Sequence, residues 1–301
     1  MKLQTTVDIP KSTWQIEHTD KVMLIGSCFA DEVGERFVRG GFDAMVNPFG
    51  TLYNPASIAA ILLRSISLNE CTEIFEDKDG IWHSWMHHSK FSAHSKEELQ
   101  MNINSITETA SNFLHEADVL IITFGTSIIY RLKETGMLVA NCHKQLDSLF
   151  TRERLSAYDI VDQWNMLLQL LHSINPKLRV IFTVSPIRHK RDGYHVNQIS
   201  KGILLQAVDE LSSPSPEGGV ASGLSSLEEK QICTYFPSYE IMLDELRDYR
   251  FYADDMIHPS PLAVSYIWER FQDTFFSNVT KDKVAKSNKE WSRGAHREIV
   301  K

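Results

Sequence analysis

The chain has 301 residues, with 31 Lys+Arg against 39 Asp+Glu (formal charge −8), 43% hydrophobic and 23% charged residues. That is the composition of a soluble globular chain, long enough to bury a core without disulfides or structural metals. The negative balance argues against nucleic acid as the main ligand, and no apolar run approaches the ~20 residues that span a bilayer.

The opening stretch, MKLQTTVDIPKSTWQIEHTD, has no apolar segment of signal-peptide type, so a cytoplasmic location is expected. Lys21 to Ile25 is a short apolar run stopped by Gly26, which predicts a buried strand. From Cys28 to Arg39 the apolar positions Ala30, Val33 and Phe37 recur at spacings of three and four, which predicts a helix. Pro55 to Ile66 reads as a second helix, and Leu99, Ile103, Ile106, Ala110, Phe113 and Leu114 stripe a third. Val119 to Phe124 reads as a central strand closed by Gly125. Ile160, Trp164, Leu167 and Leu171 mark a helix, Val180 to Val184 a strand ended by Ser185-Pro186, and Asn197 to Leu211 a further helix. Strands alternating with helices imply βαβ units and a mostly parallel sheet. In such sheets ligands sit beyond the carboxyl ends of the strands, so the chemistry is expected just after Ile25, Phe124 and Val184.

Three stretches break this pattern. Residues 76–92, rich in Trp, His and Ser, read as an insertion or hairpin near the sheet edge. Residues 212–226 are Ser/Gly/Pro-rich and read as an excursion. The tail, 280–301, is basic and reads as a docked terminal helix or a frayed end. No repeat or linker is evident, so one domain with insertions is expected. The four cysteines (Cys28, Cys71, Cys142, Cys233) form no CxxC pair, and no HExxH, EF-hand, GxGxxG or P-loop string occurs, so neither metal nor cofactor is expected.

Two segments could carry chemistry. In Ile25-Gly-Ser-Cys-Phe-Ala30 a serine stands between a strand end and a helix start, where unpaired backbone N–H groups favour developing negative charge. Taken alone, the segment favours Ser27 as a mere helix cap. In Asp254-Asp255-Met-Ile-His258-Pro-Ser260, Asp255 and His258 are three apart before a helix that Ser260 and Pro261 can start. That spacing lets the Asp255 carboxylate hold Nδ1 of His258 and leave Nε2 as a general base.

A serine after the first strand with a DxxH before the last helix resembles the SGNH, or GDSL-like, hydrolases. The wording is narrower: Gly26-Ser-Cys-Phe-Ala30 is the string that names the GSCFA family. Residues 47–55 (NPFGTLYNP), 139–144 (VANCHK), 185–189 (SPIRH) and the approach to Asp255 through DELRDYRFYA are similar to it as well. The resemblance implies a flavodoxin-like three-layer α/β/α sandwich with a mostly parallel central sheet. It implies Ser27 as nucleophile, His258 as base and Asp255 as its orienter. It also implies an oxyanion hole made by the Ser27 and Gly50 N–H groups. The usual third donor, an Asn in a GxND motif, has no counterpart in Phe124-Gly-Thr-Ser127; Thr126, Ser127, Asn47 or Asn141 stands in its place.

The activity so implied is that of a serine esterase cleaving a small acyl ester, in particular an O-acetyl group on a carbohydrate. The same triad would serve an acyltransferase, and the missing Asn favours a non-catalytic binding module on the same fold. Cys28 is a rival nucleophile on the same helix start; we expect it packed inward beneath Ser27. The histidines His83, His87 and His88 lack the carboxylate or Cys of a metal set. His88, Asn141, His143, Arg188 and His189 are expected to line the substrate cleft, although Arg188 equally suits a structural ion pair.

Overall fold

The computed structural model describes residues 5–213 and 232–299. Most of the Ser/Gly/Pro-rich stretch expected as an excursion lies outside the described residues.

The first strand, β1 (Lys21–Gly26), passes into α1 (Cys28–Arg39) through Ser27 alone, whose Oγ accepts the Phe29 N–H and caps the helix. β2 (Asp43–Val46) follows, then α2 (Pro55–Ser67), capped by the Asn54 side chain with Pro55 in its first turn. A small antiparallel hairpin, β3 (Ile74–Glu76) and β4 (Trp82–Ser84), leads to α3 (Lys96–Glu116), which Ser95 caps. β5 (Val119–Phe124) is buried throughout. Next comes a three-stranded antiparallel sheet of β6 (Ile128–Leu132), β7 (Leu138–Val139) and β8 (Phe150–Arg154), ordered β7-β6-β8, which the periodicity did not reveal. α4 (Ala157–Ile174) opens on a full capping box, in which Ser156 and Asp159 satisfy each other's backbone N–H. β9 (Arg179–Val184), α5 (Tyr194–Ser212), β10 (Cys233–Phe236) and the short α6 (Ser238–Glu240) precede α7 (Pro261–Phe275) and α8 (Asn278–Ile299).

The central sheet has five strands in the order β10-β9-β5-β1-β2, and every pairing is parallel. Counted along the chain, this is 2-1-3-4-5, the flavodoxin-like order, with its switch point between β1 and β5. Alternation along each strand splits the core in two. Met23, Ile25, Leu120, Ile122, Val180 and Phe182 pack with apolar residues of α2 to α5. Val22, Leu24, Val119, Ile121 and Ile181 pack with α1, α7 and Val284 of α8. The result is a three-layer α/β/α sandwich. The basic tail begins as a docked helix, with Thr280 Oγ1 donating to the Ile16 carbonyl. Among the described residues no helix is long and apolar enough to cross a membrane.

The strand ends at the switch point are pressed together. Gly26 has φ +150°, and a Cβ there would stand 2.3 Å from the Thr123 carbonyl oxygen on β5. Because that neighbour is backbone, it cannot yield as a side chain would. Gly26→Ala is expected to lose about 2–4 kcal/mol of stability through combined strain and overpacking. Equilibrium urea unfolding checks this, with a midpoint equal to wild type as the contrary result.

Candidate active site

Each strand end named by the sequence delivers a residue to the same edge. Ser27 follows β1 and is 1% exposed. Gly125 follows β5, and the point where a Cβ on Gly125 would stand lies 3.4 Å from Ser27 Cβ and 3.2 Å from His189 Nε2. His189 follows β9 and meets the Tyr53 ring edge to face at 5.8 Å. Burial, with the nearby Lys201 charge second, pushes the His189 pKa down to about 3, so this imidazole is neutral. Nε2 of His189 is buried and has no well-formed hydrogen bond among the described residues.

The Asp255–His258 turn is built as the spacing predicts. Asp255 Oδ1 accepts the N–H groups of Ile257 (2.8 Å) and His258 (3.0 Å), while Oδ2 lies 2.6 Å from His258 Nδ1. Both side chains are nearly half exposed. These bonds hold the Asp255 carboxyl down at about 2, the His258 backbone N–H contributing most, then the His258 ring, then the Ile257 N–H. With Nδ1 fixed on Asp255, Nε2 is the ring atom left for a substrate or a serine. The loop after β9 ties this turn to the sheet: Arg188 donates its backbone N–H to the Ile257 carbonyl (3.2 Å) and Nη1 to the Met256 carbonyl (3.1 Å). The Arg188 guanidinium lies over the rings of Tyr194 (4.3 Å) and Tyr252 (5.3 Å), and no carboxylate pairs with it among the described residues. Ser27 Oγ and His258 are not hydrogen-bonded to each other; among the described residues Ser27 Oγ accepts only the Phe29 N–H, at 3.3 Å. Long serine–histidine separations are common in unliganded sites.

Segment 47–54 folds over the strand ends and uses up the oxyanion donors expected from the sequence. The Gly50 N–H donates to the Asn47 carbonyl (2.8 Å) and closes a turn. Asn47 accepts the Gly26 N–H on Oδ1 (2.8 Å) and donates Nδ2 to Asp31 (2.7 Å). The Ser27 N–H continues the β1–β5 ladder to the Thr123 carbonyl at 3.2 Å. Thr126 Oγ1 is shared by Ser200 Oγ and the Ile128 N–H, and Ser127 donates both its N–H and its hydroxyl to Ser200 Oγ. Tyr53 O accepts the N–H groups of Gly125 and Thr126. The cause is local: two strand ends and a tight turn meet here, and their buried N–H groups find partners within the protein.

Other expectations are redistributed. Ser27 is the more buried of the two candidate nucleophiles; Cys28 is half-buried, packs against the core between the sheet, α1 and α7, and has Sγ 3.4 Å from the Tyr53 hydroxyl. The 76–92 stretch does form a hairpin, yet it extends no edge of the central sheet and packs on α3 instead. It carries exposed His88 against Gly50, where a Cβ would lie 2.1 Å from His88 Cβ. His143 contacts the hairpin rather than Ser27: Nε2 lies 2.7 Å from the Ser84 carbonyl and its ring 4.6 Å from His83. The Asn141 side chain accepts the His143 N–H and shapes that turn. The hairpin also holds a second Ser–His–Asp chain: His83 Nδ1 is 2.6 Å from Ser92 Oγ and Nε2 is 2.9 Å from Asp77 Oδ2. Among the described residues no three His, Cys, Asp or Glu are grouped to hold a metal ion.

The model of the GSCFA family matches residues 21–271. The chain belongs to the GSCFA family. No curated protein matches the sequence. Among solved structures, a family 3 carbohydrate esterase from Talaromyces cellulolyticus is 12% identical, with 84% of this chain and 94% of that chain covered and a TM-score of 0.37. A family 3 carbohydrate esterase from Clostridium thermocellum is 9% identical, covering 89% and 98%, with a TM-score of 0.38. The acetyl xylan esterase Est2A from Butyrivibrio proteoclasticus is 11% identical, covering 89% of this chain and 64% of that one, with a TM-score of 0.41.

Two residues of this GSCFA protein escaped the sequence reading. Tyr53 supplies a carbonyl and a ring to the site. Lys201 on α5 is 1% exposed and donates Nζ to the carbonyls of Gly125 and Ser185, each at 2.6 Å. A signal for Lys201 existed: it occupies the apolar stripe of α5 with Leu204 and Val208.

The Asp255 carboxyl offers a direct test. Carbon-detected NMR titration should give it a midpoint near 2, against an ordinary 3.8. A carboxyl depressed on folding contributes stability above its unfolded value, and that contribution disappears as pH falls through about 2. In His258→Ala the midpoint should rise and yet stay below 3.8, because the two backbone N–H donors survive. An ordinary midpoint in the wild-type protein would refute the turn geometry.

Proposed function

We propose that this protein is a serine esterase that removes a small acyl group from an alcohol, with Ser27 as nucleophile, His258 as general base and Asp255 orienting it. The observation that carries the reading is the Asp255–His258 pair, Nδ1 to Oδ2 at 2.6 Å, pinned by Arg188 to the sheet edge at which Ser27 caps α1. In the reaction His258 Nε2 takes the Ser27 proton as Oγ bonds to the ester carbon, and the carbonyl π pair moves onto oxygen. The tetrahedral intermediate collapses, the alcohol leaves with the proton from His258, and water repeats the sequence on the acyl-enzyme. A serine only 1% exposed suits a short acyl chain better than a long one.

The alcohol side is a row of tyrosine rings around a guanidinium. Tyr194 (48% exposed) lies on Arg188, Arg188 on Tyr252, and Tyr252 at 6.0 Å from Tyr249 (66% exposed). Flat, half-exposed rings with a guanidinium between them suit the apolar faces and hydroxyls of a sugar. This favours a carbohydrate ester over an aliphatic one.

A fluorophosphonate probe should label one serine, mapped by peptide mass spectrometry to Ser27. Ser27→Ala should abolish both the adduct and hydrolysis of p-nitrophenyl acetate, and His258→Ala should lower kcat by about a thousandfold or more. An adduct on Ser92, lost in His83→Ala, would shift the reading to the hairpin. No adduct with slow acetate hydrolysis unaffected by Ser27→Ala would overturn it.

A further inference from the structure

Resting on the esterase reading, we infer that the side chain of His189 is the oxyanion-hole donor of this enzyme: its Nε2–H takes the place of the amide absent from Phe124-Gly-Thr-Ser127. Four observations carry it. First, a single point, where Gly125 lacks a Cβ, lies 3.2 Å from His189 Nε2 and 3.4 Å from Ser27 Cβ. The Tyr53 carbonyl oxygen, 2.9 Å from the same point, borders it on a further side. Second, Nε2 is buried without a well-formed hydrogen bond among the described residues: its interaction with the Gly125 backbone is a weak one to a carbonyl that Lys201 already holds at 2.6 Å, while Gly50, Asn47, Thr126, Ser127 and the Ser27 N–H all have partners of good geometry. A buried, poorly paired imidazole N–H costs stability until something accepts its hydrogen bond, and a developing oxyanion is such an acceptor.

Third, the ring is held. The backbone N–H of His189 donates to Asn197 Oδ1 (2.9 Å), which fixes the main chain at this residue, and the Tyr53 ring packs against the imidazole. Fourth, Lys201 donates to the Gly125 carbonyl, so that oxygen has a partner of its own and Gly125 is fixed in place. The nearby ammonium and the burial of the ring both keep His189 neutral. A neutral ring carries one N–H and cannot act as a competing acid beside His258. The donor thus comes from the loop after β9, the neighbour of β5 in the sheet, and its aim is set by packing rather than by a loop amide. His189 would hydrogen-bond the reacting oxygen directly, so it acts as a catalytic residue and not through another group.

Three variants separate the N–H from the ring. His189→Phe keeps the ring and its contact with Tyr53 and removes the donor. His189→Gln keeps an N–H at similar reach and removes the ring. His189→Met serves in place of the Phe variant should that fail to fold. With p-nitrophenyl acetate, kcat in His189→Phe is expected to fall about a hundredfold with KM within threefold, since the bond is made to the transition state. His189→Gln should stay within about tenfold of wild type. Equal losses in Phe and Gln variants, or a Phe variant near wild type, would overturn the donor role while Ser27-dependent hydrolysis in the wild-type protein left the triad standing. A wild-type protein with no Ser27-dependent hydrolysis would overturn both.

Discussion

The site depends on one buried lysine. Lys201 sits in the core of the sandwich and joins the first carbonyls beyond β5 and β9, those of Gly125 and Ser185. Parallel strands end with carbonyls that no further strand satisfies, and two such ends side by side leave acceptors that must be paired or solvated. A long side chain rising from α5 does this without admitting water. Burial lowers its pKa to about 7. The arrangement tolerates either protonation state, because a neutral amine still has the two N–H groups that the two carbonyls require. The charged form has a third, and the Tyr239 ring stands 5.6 Å away on that side.

From that tie outward, the surroundings of Ser27 form a chain of backbone accounting. Asn47 takes the Gly26 N–H, the Tyr53 carbonyl takes those of Gly125 and Thr126, and Leu52 donates to the Gly26 carbonyl. Segment 47–54 therefore acts as a clasp across β1 and β5, and the hairpin presses on the clasp through His88 and Lys90, whose Nζ reaches the Asn47 carbonyl. Groups this committed leave few free for chemistry. This is why the poorly paired nitrogen of His189 stands out against its neighbours.

The parts of the fold that could be read from the sequence are those with local punctuation. α1 and β5 begin and end where expected because Gly26, Ser27 and Gly125 mark them, and α7 starts at Pro261 because Ser260 caps it. β2 and β10 are four residues each, too short for a periodic signal, and β6 to β8 have partly exposed faces that look like loop. Within the candidate site, the Ser27 cap and the Asp255–His258 hydrogen bond were legible because each lies in a short window with its own geometry. Arg188 and His189 were legible as residues after a strand but not as parts: Arg188 serves as a ring-stacked tether, not an ion pair. Asn141 and His143 were placed by proximity in sequence to β5, yet the intervening antiparallel sheet carries them to the hairpin. Which N–H groups are spent and which are free is a tertiary fact, so the oxyanion donors could not be chosen from spacing.

Two roles assigned to Ser27, helix cap and nucleophile, looked like alternatives in the sequence and are compatible in the structure. A cap works by accepting: Ser27 Oγ offers a lone pair to the Phe29 N–H. A nucleophile works by donating its proton to a base and using another lone pair on the substrate. The hydroxyl has one hydrogen and two acceptor positions, so capping leaves the proton free to go to an imidazole. The bond to Phe29 is long at 3.3 Å, which makes it weak and easily exchanged. In the proposed reaction an N–H pointing at Oγ would favour the oxygen as it gives up its proton, in addition to the field of the helix behind it.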